Sequence, residues 1–516
     1  MLIDARDIPR GTALAADVCV IGAGAAGITI ATQLDGSGLD VVLLESGDFD
    51  FDTATQALYQ GSVVGLPLDP RTHEGLDEPR LRFFGGTTNH WAGYCRPFTP
   101  LDFENRDYVP RSGWPFSREL LDPYYERAQD VVQLGPYHYD PQYWQDAGLL
   151  APPLLEDPTT PHQVIQIASS PRFSDLYRQT IVDSPNVRLY IHANVTQLVL
   201  SEDGTSLTGI DVATLSGTTF TATARVFVLA TGGLEVARVL LASNTRRPAG
   251  IGNEEDLVGR HFMEHANIAA GVALLTTDAN GLAAYLPSNQ NVSVADGERS
   301  VAIQAVALVA EEVQRLLGLR SCEMTFEYPF APDDRRLAAL FPGVERGIAL
   351  LRAQGVEPRV APVLRVLCEQ EPNPSSRVTL TRTLDALGMP QIALDWRLTG
   401  DDRRSMLRTI ELLGTEVGRR GLGRVRLDMD GFTNLIPSET DVLDYPVNTG
   451  SHHMGTARMH ASPRSGVVDP DLKVHSVANL YIGGSAVFPT SGANTPTLTI
   501  VALALRLTDH LRQQLA

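Results

Sequence analysis

Cysteine is scarce: Cys19, Cys95, Cys322 and Cys368 are scattered through 516 residues, and no CxxC unit occurs. Neither a zinc cluster nor a disulfide framework is therefore implied, and no metal is expected. Positive charge is also short. Lys and Arg number 42 against 61 Asp and Glu, for a formal net charge of -19. That balance argues against a nucleic-acid partner, because phosphate binding needs clustered cations. No apolar stretch reaches the ~18 residues that a membrane span requires. Acidic Asp4, Asp7 and Asp17 precede the first apolar run, so the start of the chain does not read as a signal peptide. A soluble, reducing, cytoplasmic setting is the expectation, with export beside a signal-bearing partner left open.

What remains is an ordinary globular composition, 43% hydrophobic and 20% charged, at a length that suggests roughly two to four domains. The segment 17-DVCVIGAGAAGITIATQLDGSGLDVVLLESG-47 outlines a βαβ unit. Val18, Val20 and Ile21 form a buried strand, Ile28, Ile30, Ala31 and Leu34 have helical spacing, and Val41 to Leu44 form a second strand. In the turn, Gly22 permits the tight reversal, Gly24 lets backbone approach a pyrophosphate, and Gly27 lets the helix pack on the strand. The pyrophosphate would sit at the positive helix N-terminus. Glu45 stands 23 residues after Gly22, at the end of the second strand, where a carboxylate can take a ribose hydroxyl. No Arg follows it directly, which disfavours a 2'-phosphate. The motif alone does not separate FAD from NAD.

A second glycine-rich stretch, 82-RFFGGTTNHWAGYCRP-97, departs from a simple dehydrogenase pattern. Both 187-VRLYIHANVTQLVL-200 and 225-RVFVLATGGLEVARVLLAS-243 read as later parts of the same nucleotide-binding layer. Between about 265 and 440, runs such as 299-RSVAIQAVALV-309 and 377-RVTLTRT-383 suggest antiparallel strands, interrupted by a helical insertion over 333–355 around Pro342. Near the C-terminus stand 452-HHMGTARM-459, 466-GVVD-469 and a strand at 480–482 ending in Gly483, Gly484 and Ser485. A helix then begins near Pro496, so that Asn494 and Thr495 lie at a positive helix N-terminus able to stabilise a developing anion.

Taken in order, GAGAAG with Glu45, GGTTNHW, ATGG, HHMGT, GVVD and the C-terminal NTPT helix resemble the glucose–methanol–choline (GMC) family of flavoprotein oxidoreductases over nearly the whole chain. The form is most similar to pyranose oxidases, bacterial glycoside 3-oxidases and the flavoprotein subunits of sugar dehydrogenases. The resemblance implies FAD and a fold of class α/β plus α+β: a discontinuous Rossmann-like FAD-binding domain (1–110, 160–262 and 440–516) with an inserted substrate domain (111–159 and 263–439) built on an antiparallel sheet. Cofactor contacts are expected at Gly22, Gly24, Ala25, Gly27, Glu45 and Ser46, and at Gly86, Thr88, Asn89, His90, Trp91 and Ala92. Further contacts are expected at Val195, Ala230, Gly232, Gly484, Ser485 and Thr495. The family's catalytic histidine stands three residues before a glycine, which places it at His452 with Gly455 as reference. The second catalytic residue corresponds to Asn494.

The activity implied is oxidation of a secondary alcohol of a sugar or glycoside, with His452 as base, Asn494 orienting the alcohol oxygen, and oxygen or quinone as electron acceptor. A histidine is mostly neutral at pH 7 and so can accept the hydroxyl proton. Several alternatives stand beside this reading. His453 fits a supporting place beside the flavin or the substrate, structural filler, or the base itself. Asn494 is also a favoured helix cap. His90 fits either a covalent histidyl link to FAD or non-covalent packing, the second being preferred. Gln370 is a candidate sugar contact or a solvated strand end. The aromatic run 136-PYHYDPQYW-144 is a lid or, preferably, surface packing. At the level of function, a non-redox lyase or decarboxylase on the same fold, or oxidation of a non-sugar alcohol, is the alternative.

Overall fold

The two apolar runs that flank the glycine turn lie side by side as parallel strands, Val18 opposite Val41 and Ile21 opposite Leu44. Both are buried, and covering on both faces is why they read as continuous apolar runs rather than alternating ones. The computed structural model describes residues 1–66, 68, 75–155, 157–169, 172–427 and 448–516. The first sheet has the order Leu2–Asp4, Val187–Ile191, Val41–Leu44, Ala13–Ile21, Thr219–Leu229, Leu207–Ala213 and Asn194–Leu200. Leu480–Ile482, from the far end of the chain, adds to it in parallel beside Thr219–Leu229. The helix Ala25–Leu34 follows the first turn, and the final helix Thr497–Leu515 packs against it.

The second sheet is antiparallel, with the order Gly423–Leu427, Ala266–Leu275, Ala361–Cys368, Cys322–Phe330, Gly297–Leu308, His162–Ala168 and Tyr94–Cys95. Tyr94–Cys95 and His162–Ala168 thus pair with the antiparallel sheet, although their segments were expected to belong to the nucleotide half. The expected boundary near 440 lies outside the described residues. The run at 377–383 is a strand, but it joins Pro390–Asp395 and Gly61–Val63 in a separate three-stranded sheet. The 333–355 insertion is helical as expected, but it forms two helices rather than one long one, Arg335–Leu340 and Val344–Ala353, broken around Pro342.

The expectation of no disulfide is corrected. Cys322 stands opposite Cys368 across neighbouring strands, with Cα atoms 4.3 Å apart, and the two are joined. Their 46-residue separation hides a contact that strand register alone creates. Cys19 and Cys95 remain free and buried. No helix among the described residues is long and apolar enough to cross a membrane.

Candidate active site

One cavity of about 730 Å³ runs from the first glycine turn to the antiparallel sheet. Its first wall is backbone. Gly22, with φ +101, passes so close to the neighbouring strand end that a Cβ there would lie 2.8 Å from the Ala230 carbonyl oxygen. Gly27 does not line the cavity; a Cβ there would lie 1.9 Å from the Gly22 carbonyl oxygen, so its absence lets helix and turn pack. Three helices begin at this wall without a capping side chain: Ala25–Leu34 after Gly24, Gly233–Ala242 after Gly232, and Thr497–Leu515 after Pro496. Gly24, Gly232 and Gly484 each face open space. A wall of open glycines at uncapped helix N-termini suits an extended anionic cofactor.

Glu45 lines the cavity beside the turn, where Oε2 accepts from the Ala23 N–H at 2.8 Å and Oε1 from the Gly47 N–H at 3.0 Å. Of the cofactor residues expected from the sequence, only Gly27 and Asn89 stand back from the cavity. Asn89 is tied instead to the Phe84 carbonyl and the Ser174 hydroxyl. The sequence reading missed Tyr59, Arg80, Arg82 and Glu235, which also line it. Arg80 and Arg82 stack over the Tyr59 ring at 4.0 and 4.6 Å. Arg82 also pairs with buried Glu235 at 3.1 Å and donates to the Ser46 hydroxyl at 2.6 Å. No local motif marks these four residues, because chain crossings bring them together.

His452 sits at the far end, on a turn held at both sides by the segment 263–267, which leads into the strand Ala266–Leu275. Thr449 pairs with Ala266, and Met454 exchanges backbone hydrogen bonds with Met263 at 3.0 Å. Between these anchors Ser451 adopts φ +55, an uncommon left-handed conformation for a residue with a side chain. Gly450 is needed there, since a Cβ would lie 2.4 Å from His452 Nδ1. The fully buried Glu264 ties the turn down: its Oε1 accepts from the backbone N–H of both His452 and His265, each at 2.8 Å. Burial pushes the Glu264 carboxyl up to about 8. His452 is held well below the ordinary histidine range by burial first, then by His265 and His453. Its ring is therefore neutral, with one nitrogen able to accept a proton.

His453 also lines the cavity, with its Nε2 3.7 Å from Glu264 Oε2 and its ring 5.8 Å from that of Phe262. Its carbonyl accepts from the Ser485 hydroxyl at 2.7 Å. Two residues expected at the site, Gln370 and Asn494, stand off the cavity. Gln370 is fully buried and does not line the cavity. Its Oε1 accepts from Trp396 Nε1 at 2.7 Å and the Glu264 N–H at 3.0 Å, and its Nε2 donates to the Arg397 carbonyl at 3.0 Å. With its carboxamide spent inside the protein, Gln370 braces the segment around Glu264 that leads into the strand Ala266–Leu275. Asn494 likewise stands off the cavity, its Nδ2 3.4 Å from Asp102 Oδ2. The next residue, Thr495, lines the cavity instead. The aromatic run 136–144 contributes nothing to the lining.

Opposite the glycine wall, the antiparallel sheet presents polar side chains whose charges are compensated. Arg365 donates to Glu327 at 2.7 Å and to Asn267 Oδ1 at 3.1 Å, and Arg96 donates to Glu323 at 2.9 Å.

Fold and cavity together define an FAD-dependent oxidoreductase. Residues 17–250 match the FAD dependent oxidoreductase model and residues 372–504 the GMC oxidoreductase model. The chain belongs to the GMC family of FAD-dependent oxidoreductases. It is 23% identical to the fructose dehydrogenase large subunit of Gluconobacter japonicus, over 97% of this chain and 98% of that one. It is 24% identical to 2-methyl-1,2-propanediol dehydrogenase of Mycolicibacterium austroafricanum, over 96% and 95% of the two chains. Formate oxidase has a similar fold, with a TM-score of 0.57 at 16% identity over 98% of this chain and 99% of that one.

Proposed function

We propose that the enzyme oxidises a neutral polyhydroxylated alcohol, a sugar or glycoside at a secondary carbon, with His452 as the base. The observation that carries this reading is the placement of His452 between the glycine wall and a polar, charge-compensated sheet face in one cavity. When bound, FAD supplies the hydride acceptor. The chain's own part is to bind the alcohol, exclude water and take its hydroxyl proton on His452. The paired Arg365 and Glu327 leave hydrogen-bonding capacity but little net charge, which suits an uncharged polyol better than an acid or an amine. Relatives named for fructose and for a propanediol fit a hydroxylated substrate of this kind. The two sheets serve as the cores of a cofactor half and a substrate half. His90 contributes to the cofactor wall by non-covalent packing, so acid precipitation should leave the flavin in the supernatant.

Anaerobic mixing of holoenzyme with D-glucose, D-fructose, methyl β-glucoside and 1,2-propanediol tests the reading. Bleaching of the flavin by at least one of them is expected. His452→Ala should slow that reduction by about 10²–10⁴-fold while FAD stays bound. Near-normal reduction in the variant would remove His452 from the role, and a flavin untouched by every alcohol would favour non-redox chemistry on the same fold.

A further inference from the structure

His265, which no sequence motif singled out, touches the ring of His452. Its Nε2 lies 2.8 Å from the Gly492 carbonyl oxygen and 3.2 Å from that of Ser491. Carbonyl oxygens only accept, so this nitrogen carries the proton. A neutral imidazole has one N–H, which leaves His265 Nδ1 as a bare acceptor. It stands 2.8 Å from His452 Nδ1, with the rings at 83°. Two bare nitrogens would repel at that distance, so the hydrogen between them belongs to His452 Nδ1.

We propose that His265 fixes the tautomer of His452, keeping Nδ1 protonated so that Nε2 is the atom that takes the substrate proton. The inference rests on the reading of His452 as base and names the device that makes it one. Left alone, an imidazole divides its proton between two nitrogens, and the hydrogen bond at one nitrogen decides the state of the other. Here the direction of the chain is set by backbone carbonyls, which cannot reverse. Glu264 fixes the same turn through the N–H groups of His452 and His265, so ring and backbone are held independently. Burial keeps His265 neutral, with its value pulled down to about 4. The titratable groups facing the pair are Glu264 and His453 beside it and Glu369 behind His265. After His452 takes a proton at Nε2, its Nδ1–H still donates to His265, so no reorganisation accompanies the step.

His265 is a positioning residue, and its test needs a readout beyond activity. Holoenzyme labelled with ¹⁵N-histidine, with His452 assigned against His452→Gln, should show a protonated Nδ1 and a bare Nε2. In His265→Ala the His452 signals should move toward a mixture of the two tautomers. With whichever of the four alcohols above reduces the wild-type flavin fastest, that variant should be slower by about 100-fold. His265→Asn returns an acceptor oxygen to the place of Nδ1 and should recover the rate to within about 10-fold of wild type. A wild-type His452 protonated at Nε2 would overturn the proposal. So would an unchanged tautomer in His265→Ala, or a His265→Asn as slow as His265→Ala. If His265→Ala fails to fold, the wild-type spectrum and His265→Asn still decide. If His452→Ala reduces flavin normally, the base reading falls, while the spectrum continues to judge the tautomer separately.

Discussion

Asn494 turns its amide nitrogen toward Asp102, 3.4 Å away, and its neighbour Thr495 lines the cavity with its hydroxyl donating to the Tyr94 carbonyl at 2.6 Å. Successive residues at the start of one helix thus face opposite ways. Asp102 is buried and already accepts from Thr99 and Ser321, so Asn494 joins a structural cluster behind the site.

It follows that Asn494→Ala should act mainly on stability, at about 1–3 kcal/mol for a lost partner in a buried polar cluster. Flavin reduction should stay within about 10-fold of wild type, against larger losses for His452→Ala. Urea midpoints and anaerobic stopped-flow rates measure the two effects. A large rate loss at unchanged stability would return Asn494 to the reacting centre.

The glycines of the first turn should separate folding from cofactor binding. Gly24 has φ -89 and nothing within 4 Å of an added Cβ, so Gly24→Ala should fold normally yet bind FAD at least about 10-fold more weakly. Gly27→Ala would drive a Cβ to 1.9 Å from the Gly22 carbonyl oxygen and should yield little folded protein. Flavin absorbance per chain and the far-UV circular dichroism of each purified variant give the answer. Equal FAD retention in Gly24→Ala would argue against this wall as the pyrophosphate site.

Acid should unfold the protein partly through histidines held neutral. Burial pulls His162 and His265 down to about 4 and His261 to about 3. Folded values below the unfolded ~6.5 mean that this stability is present above pH ~6.5 and is lost as pH falls through about 4. At ~1.4 kcal/mol per unit, each contributes on the order of 3–5 kcal/mol. Glu264 has the opposite slope: with its value raised to about 8, it contributes stability below pH ~4.5 that is lost as pH rises through 8. Urea midpoints at pH 4.5, 7 and 9 should therefore fall on both sides of neutrality. Because its linkage spans pH ~4.5 to 8, Glu264→Gln should flatten the alkaline decline and steepen the acid one, and no change in the alkaline limb would refute the assignment.

Thiol titration checks the cysteine pairing. Without reductant, the denatured chain should expose two thiols, Cys19 and Cys95, and after reduction all four. In the folded protein neither free thiol should react quickly, because both are buried and burial pushes Cys19 up to about 12. Four thiols in unreduced protein would exclude the Cys322–Cys368 bond.

The parts of this protein legible in the sequence are those whose physics is local. The turn from Gly22 to Gly27, the strands on either side, Glu45 at the strand end and the last helix each follow from spacing within a few residues. Backbone approach and helical periodicity leave their mark on neighbouring positions. The Cys322–Cys368 pair, the Arg80–Arg82–Glu235 cluster, the retreat of Gln370 and Asn494 from the cavity, and the contact of His265 with His452 leave no such mark. Each depends on strand register or on where a loop crosses another segment, and His265 and His452 lie 187 residues apart. The sequence alone determined a glycine turn suited to a dinucleotide and a histidine near Gly455. Only the tertiary structure decided which side chains face the cavity and on which nitrogen of His452 a proton rests, because hydrogen-bond direction is settled by partners that folding brings together.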